Sequence, residues 1–171
     1  MPLCFLHGLE SSPQGTKARL LRKHYPECWI PELPPDIFKR AEIVEKGTKT
    51  AMLIVGSSLG GLTAIMVAMR RPAMVSGMVL MAPAVGSFEG GILADAAGLT
   101  ESLYIPAGVP AVIVAGIRDE LIPVSAVRSL VERSPDPKSI RLHEVDDDHM
   151  LHRSLSLMLK SIEQMQGRFP A

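Results

Sequence analysis

The sequence predicts an α/β protein, a three-layer sandwich around a mostly parallel six-stranded sheet. Three observations carry that expectation. Short apolar runs alternate with amphipathic stretches, the pattern of successive βαβ units. The apolar runs are too continuous for a strand with one wet face, so the sheet is covered on both sides. A chain of 171 residues with 47% apolar content is long enough for one domain with a real core, residues 1–171, and short for two.

The elements follow in order. Residues 3–6 (LCFL) form the first predicted strand and residues 16–24 the first helix. A second strand is expected at 28–31 (CWIP) and a helix at 36–46. The run AMLIVG, 51–56, is the third strand, followed by a helix at 59–70 that Pro72 stops. GMVLMA, 77–82, is the fourth strand, and AVIVAG, 111–116, the fifth. Between these two lies 84–108, whose glycines suggest a loop with one short helix. Pro123, pre-set for a first helical turn, marks the start of the helix at 124–133. The sixth strand is SIRLHEV, 139–145, and the last helix spans 151–166.

Composition narrows the function. Eighteen basic and eighteen acidic residues cancel, and no basic cluster with interleaved aromatics appears, which argues against nucleic acid and anionic membrane as partners. The start, MPLCFLHG, has neither the basic nor the apolar region of a signal peptide, and no apolar run is long enough to span a bilayer. A soluble, cytoplasmic protein acting on a small molecule is expected; the oligomeric state is left open. Cys4 and Cys28 form neither a disulfide framework nor a metal site and are expected as buried thiols, with no metal or cofactor.

Chemistry enters where the third strand gives way to a helix, at LIVGSSLGGLTAI. In G-x-S-x-G a serine sits on a sharp strand-to-helix turn that leaves no room for side chains two positions away and lifts its hydroxyl above the sheet edge. Only Ser58 fits, between Gly56 and Gly60; Ser57 would need glycine at Val55 and Leu59. A dinucleotide loop fails because Ser58 stands where the second glycine belongs, and no G-K-[ST] follows for a phosphate loop.

A serine hydroxyl is a poor nucleophile without a base, and the base needs an acid to orient it. The fifth strand runs into GIRDELIPV and the sixth into DDDHML, placing Asp119 and His149 just past two strand ends. In open α/β sheets those ends share one crevice, so Ser58, Asp119 and His149 can converge. Glu120 is the alternative acid and His152 the alternative base. Asp146, Asp147 and Asp148 read as a solvated acidic loop, while His24 and His143 lie within or beside elements and need no role. The oxyanion formed on attack needs backbone donors: the N–H of Leu59, after the nucleophile, and that of Leu9 in the FLHGLESSP loop, with His7 organising that loop.

FLHG, GSSLGG, GIRDELIP and DDDHML, in that order, resemble an α/β-hydrolase over nearly the whole chain. HGLESSPQGTKARLL, PELPP and LIVGSSLGG are similar to the small YqiA-type esterases. That resemblance implies a compact core that lacks the first two strands of the larger enzymes, with sheet order 2-1-3-4-5-6 in the numbering above, and the connection at 84–108 is too short and too glycine-rich to build a cap domain. It also implies carboxylester or thioester hydrolysis by Ser58, Asp119 and His149 through an acyl-enzyme. A hydrolase of the same fold acting on C–C or peroxy bonds, and a non-catalytic protein that keeps the pocket for a ligand, are the competing readings. Phe88, Ile92, Leu93, Leu99, Leu103 and Tyr104 are candidates for a shallow acyl site favouring short or medium chains, with packing against the sheet as the expected role of at least half of them.

Overall fold

The computed structural model describes residues 1–86, 100 and 102–167. Five strands, β1 (Leu3–Leu6), β2 (Met52–Ser57), β3 (Val75–Met81), β4 (Ala111–Gly116) and β5 (Ile140–Val145), lie side by side in chain order, every neighbouring pair parallel. Parallel neighbours need crossovers, and three of them are helical: α1 (Thr16–His24) and α2 (Ile37–Gly47) between β1 and β2, α3 (Leu59–Arg70) between β2 and β3, α4 (Val124–Arg133) between β4 and β5. A last helix, α5 (Leu155–Met165), follows β5.

Alternation along each strand builds the two outer layers. Cys4 and Leu6, Ile54, Met78 and Leu80, and Ile113 face α2, α3 and α4, packing against Ala41, Val44, Leu62, Val127 and Leu130. Leu3 and Phe5, Leu53 and Val55, Val79 and Met81, and Val114 face the other way, onto Leu21 of α1 and Met158 and Ile162 of α5. The three-layer sandwich is therefore as expected. Cys4 and Cys28 are free, buried and on opposite faces of the sheet; burial pushes both thiols up, Cys28 to about 12.

Among the described residues the sheet has five strands and not six. The expected strand at 28–31 is reduced to a single bridge, Cys4 with Trp29, made by Trp29 N–H to Leu3 O and Phe5 N–H to Trp29 O, both 2.9 Å. Pro26 and Pro31 explain the loss, since neither can donate to a ladder and only four residues separate them. The bridge still lies on the side of β1 away from β2, the position the expected sheet order gave it.

Helix boundaries follow local chemistry. Asp36 caps α2, its Oδ1 accepting from the N–H groups of Phe38 and Lys39 at 2.9 and 3.0 Å. The helix expected from 151 begins instead with a 3₁₀ turn, His152–Ser154, because Leu151 sits at φ 52, ψ 36 and turns the chain first.

Candidate active site

Ser58 stands between the last residue of β2 and the first of α3, at φ 53, ψ −117, a conformation that L-residues rarely adopt. Its backbone is fixed from both sides: Ser58 N–H donates to Met81 O at 2.9 Å, and Ser58 O accepts from Gly61, Leu62 and Ala84. The flanking glycines are steric necessities. A Cβ at Gly56 would lie 2.6 Å from Gly60 O, and one at Gly60 would lie 1.9 Å from Leu6 O. Gly61 is held to the same standard by Pro83, a contact outside the short motif. The sharp turn leaves Ser58 lining the cavity at the carboxyl edge of the sheet, and Leu59 opens α3, so its N–H has no intrahelical acceptor.

β4 and β5 end in register, Gly116 opposite Val145, and each then releases a loop onto the same edge. Asp119 comes from the first loop and His149 from the second. His149 Nδ1 lies 2.8 Å from Asp119 Oδ2 and His149 Nε2 lies 3.0 Å from Ser58 Oγ. With the carboxylate on one side of the ring, the proton belongs on Nδ1, which leaves Nε2 to accept from the serine hydroxyl. The Asp119 side chain is 1% exposed and that of His149 17%, so the pair is shielded while the ring edge near Ser58 opens to the cavity. Glu120 and His152 are exposed; His152 borders the cavity but lies beyond the turn at Leu151, and neither takes a place in this line of contacts.

The acidic run after β5 divides into unlike members. Asp146 is exposed and pairs with Arg118 at 2.9 Å. Asp147, expected in solvent, is 3% exposed: its carboxylate accepts from Asp148 N–H at 2.9 Å, Arg153 N–H at 3.0 Å and Ser154 Oγ at 2.8 Å. Burial alone would push this carboxyl up, but those hydrogen bonds outweigh it and hold it below the usual carboxylate range. Its carbonyl also accepts from Arg118 N–H, so Asp147 ties together the two loops that carry Asp119 and His149. From α1, the largely buried Lys17 donates to Met150 O at 2.6 Å, beside His149. Burial pulls the Lys17 ammonium down, against the pull of Asp147 and Asp148.

The loop after β1 closes over the serine. A Cβ at Gly8 would lie 3.4 Å from Ser58 Cβ, so this backbone passes directly above the nucleophile candidate, and Leu9 follows at the cavity mouth. His7 is buried, with Nδ1 2.8 Å from Gly8 O; burial is the main reason its pKa falls below the usual histidine value, with Arg40 adding to it. Arg40, which no motif singled out, is buried against this loop and donates to His7 O.

The cavity at Ser58 measures about 710 Å³. Its apolar lining includes Phe5, Leu9, Leu59, Leu121, Ile122 and Met150; Ser11, Ser12, Gln14, Thr16, Lys17 and His152 supply polar groups. Candidates for an acyl site were expected within 84–108. Of its described residues only Ala84 reaches the cavity; Leu103 is buried and Tyr104 partly exposed elsewhere, while Phe88, Ile92, Leu93 and Leu99 lie outside the described residues. Among the described residues no three His, Cys, Asp or Glu side chains cluster as a metal site requires, and no helix is long and apolar enough to cross a membrane.

Comparison with known proteins agrees with this geometry at the level of the fold. A family model described as "Uncharacterised protein family (UPF0227)" matches residues 2–92. Among solved structures, the chain is similar to α/β-hydrolase domain-containing protein 10 from mouse, with 17% identity over 98% of this chain and 90% of that one, TM-score 0.79. It is also similar to an α/β-superfamily protein from Xanthomonas campestris, with 24% identity over 99% and 100%, TM-score 0.74. A monoacylglycerol lipase from Paleococcus ferrophilus aligns at 16% identity over 95% and 93%, TM-score 0.73.

Proposed function

The chain belongs to the UPF0227 family, the YqiA-type group within the α/β-hydrolase superfamily, and on that premise we propose that it is a serine hydrolase. It cleaves carboxylester or thioester bonds of small to medium acyl substrates through an acyl-enzyme. The observation that carries this reading is the unbroken line from Asp119 Oδ2 to His149 Nδ1, 2.8 Å, and from His149 Nε2 to Ser58 Oγ, 3.0 Å. A monoacylglycerol lipase shares the fold, which supports ester chemistry.

In this mechanism Ser58 Oγ attacks the substrate carbonyl as its proton passes to His149 Nε2, and Asp119 holds the ring and stabilises the imidazolium. The N–H groups of Leu59 and Leu9 receive the oxyanion. His149 then gives its proton to the departing alcohol or thiol. Water, deprotonated by the same nitrogen, attacks the acyl-serine, the acid leaves, and Ser58 recovers its proton.

A fluorophosphonate, which phosphonylates only an activated serine, tests the proposal. One label per chain, mapped to Ser58 and accompanied by loss of p-nitrophenyl butyrate turnover, is expected. A chain that takes no label and turns over no ester or thioester would favour a ligand-binding pocket and overturn the hydrolase reading.

A further inference from the structure

Arg40 is a cation placed where a cation is costly. It is 1% exposed, in the first turn of α2, and among the described residues no carboxylate pairs with it. Burial draws its guanidinium down to about 10. All of its described bonds go to neutral oxygens: Nε to Thr63 Oγ1 at 3.1 Å, Nη1 to Pro34 O at 3.1 Å, and Nη2 to His7 O. Even a buried ion pair is often replaceable by apolar groups of similar volume without loss of stability, and Arg40 has no partner charge among the described residues to offset its desolvation, so packing alone does not account for an arginine here.

What the three bonds join does account for it. His7 O belongs to the peptide that precedes Gly8 and Leu9, the loop above Ser58. Thr63 lies in α3, and its hydroxyl donates onward to Leu59 O at 2.8 Å. Pro34 anchors the fork to the Leu-Pro-Pro segment before α2. One planar side chain thus spans both backbone segments that carry the oxyanion donors, Leu9 and Leu59. The seam between them has no slack, because a Cβ at Gly60 would lie 2.9 Å from His7 O. A lysine ammonium, a point donor on a flexible stem, cannot hold three acceptors in one plane.

We infer that Arg40 is a positioning residue that sets the spacing between the Leu9 and Leu59 N–H groups. The inference rests on the serine-hydrolase reading. It predicts a defect confined to the tetrahedral state, since a small misplacement of oxyanion donors costs turnover before it costs substrate binding.

The test compares Arg40→Met, Arg40→Lys, Thr63→Val and, as a control for simple destabilisation of α2, Val44→Ala. Sites are titrated with fluorophosphonate to the end point, and kcat per titrated site, KM for p-nitrophenyl butyrate and Ki for phenylboronic acid are measured with Tm. Arg40→Met is expected to lower kcat per site about 10- to 100-fold and to raise the boronate Ki by a similar factor, with KM within about threefold. Arg40→Lys recovers only part of this, Thr63→Val loses several-fold, and Val44→Ala loses Tm alone. If Arg40→Met fails to fold, Arg40→Lys and Thr63→Val carry the same comparison. Wild-type kcat per site in the Arg40 and Thr63 variants would overturn the inference while leaving the hydrolase reading intact, as would an equal kcat loss in Val44→Ala. An unlabelled, inert wild-type chain would overturn the hydrolase reading and this inference with it.

Discussion

Asp119 meets His149 through one carboxylate oxygen, Oδ2 at 2.8 Å, while Oδ1 accepts from the N–H groups of Leu121 and Ile122 at 2.9 and 2.8 Å. One side chain therefore shapes its own turn and orients the imidazole. Asp119→Asn preserves size and can still accept from the turn through its one oxygen, but its NH2 then faces Nδ1 and drives the ring proton to Nε2. Turnover should fall by about 10⁴ with the fold retained. Glu120→Gln should change it less than about twofold. Steady-state kinetics with far-UV circular dichroism read both; a larger loss at Glu120 would reverse the assignment of the acid.

Ser58 and Ser57 are adjacent, yet only one sits at the left-handed turn facing His149. Ser58→Ala should reduce kcat to the level left by binding and oxyanion donors, a loss of order 10⁴ to 10⁶. Ser57→Ala should cost far less. Equal losses at the two positions, measured as kcat on p-nitrophenyl butyrate, would remove Ser58 from its role.

His149→Ala should abolish turnover, whereas His152→Ala, at the cavity rim beyond Leu151, should shift KM more than kcat. The outcome to look for against this is an inactive His152 variant beside an active His149 variant.

The cavity of about 710 Å³ is of ordinary ligand size, but Ser11, Ser12, Gln14 and Thr16 interrupt its apolar lining. An acyl chain gains about 0.8 kcal/mol for each methylene it buries against apolar atoms, and little against hydroxyls and amides. Across p-nitrophenyl esters, kcat/KM should peak at short or medium chains. Monomeric p-nitrophenyl palmitate turned over much faster than the butyrate would contradict this.

Asp147 links pH to stability. Its folded pKa lies below the unfolded value of about 3.9, so the folded state binds fewer protons, and the stabilisation is fully present above that value and lost as pH falls through the lower folded one. Asp147→Asn should lower stability at pH 7 by on the order of 1 kcal/mol, with the gap to wild type closing below about pH 4. Thermal melts across pH 2.5–7 decide this; a gap independent of pH would mean that shape, and not charge, is what Asp147 supplies.

Features written in short stretches were legible in the sequence. Gly56, Ser58 and Gly60 specify the elbow by sterics within five residues, and Asp119 and His149 follow from strand ends that the apolar runs mark. The hidden features join distant segments through backbone atoms. Arg40 binds the carbonyl of His7, 33 residues away, and Lys17 that of Met150, 133 away, and a carbonyl leaves no mark in a residue string. Asp146, Asp147 and Asp148 are identical as letters; only the turn back at Leu151 brings Arg153 and Ser154 onto the middle one. The apolar letters at 28–31 suggest a strand that Pro26 and Pro31 cut to a single bridge, and the polar letters of the loop after β1 give no sign that it lines the cavity.

The one-residue bridge at Trp29 also governs how two molecules can meet. A full outer strand would offer a row of free N–H and C=O groups to any extended peptide that drifted alongside; here Trp29 occupies the donors and acceptors at the centre of β1, and the chain leaves through Pro31, Pro34 and Pro35, which cannot extend a ladder. On the far side of the sheet, β5 carries the exposed charges of Arg141 and Glu144, and strand-on-strand docking would strip both of water. Both margins of the described sheet thus carry features that oppose strand-to-strand pairing between molecules.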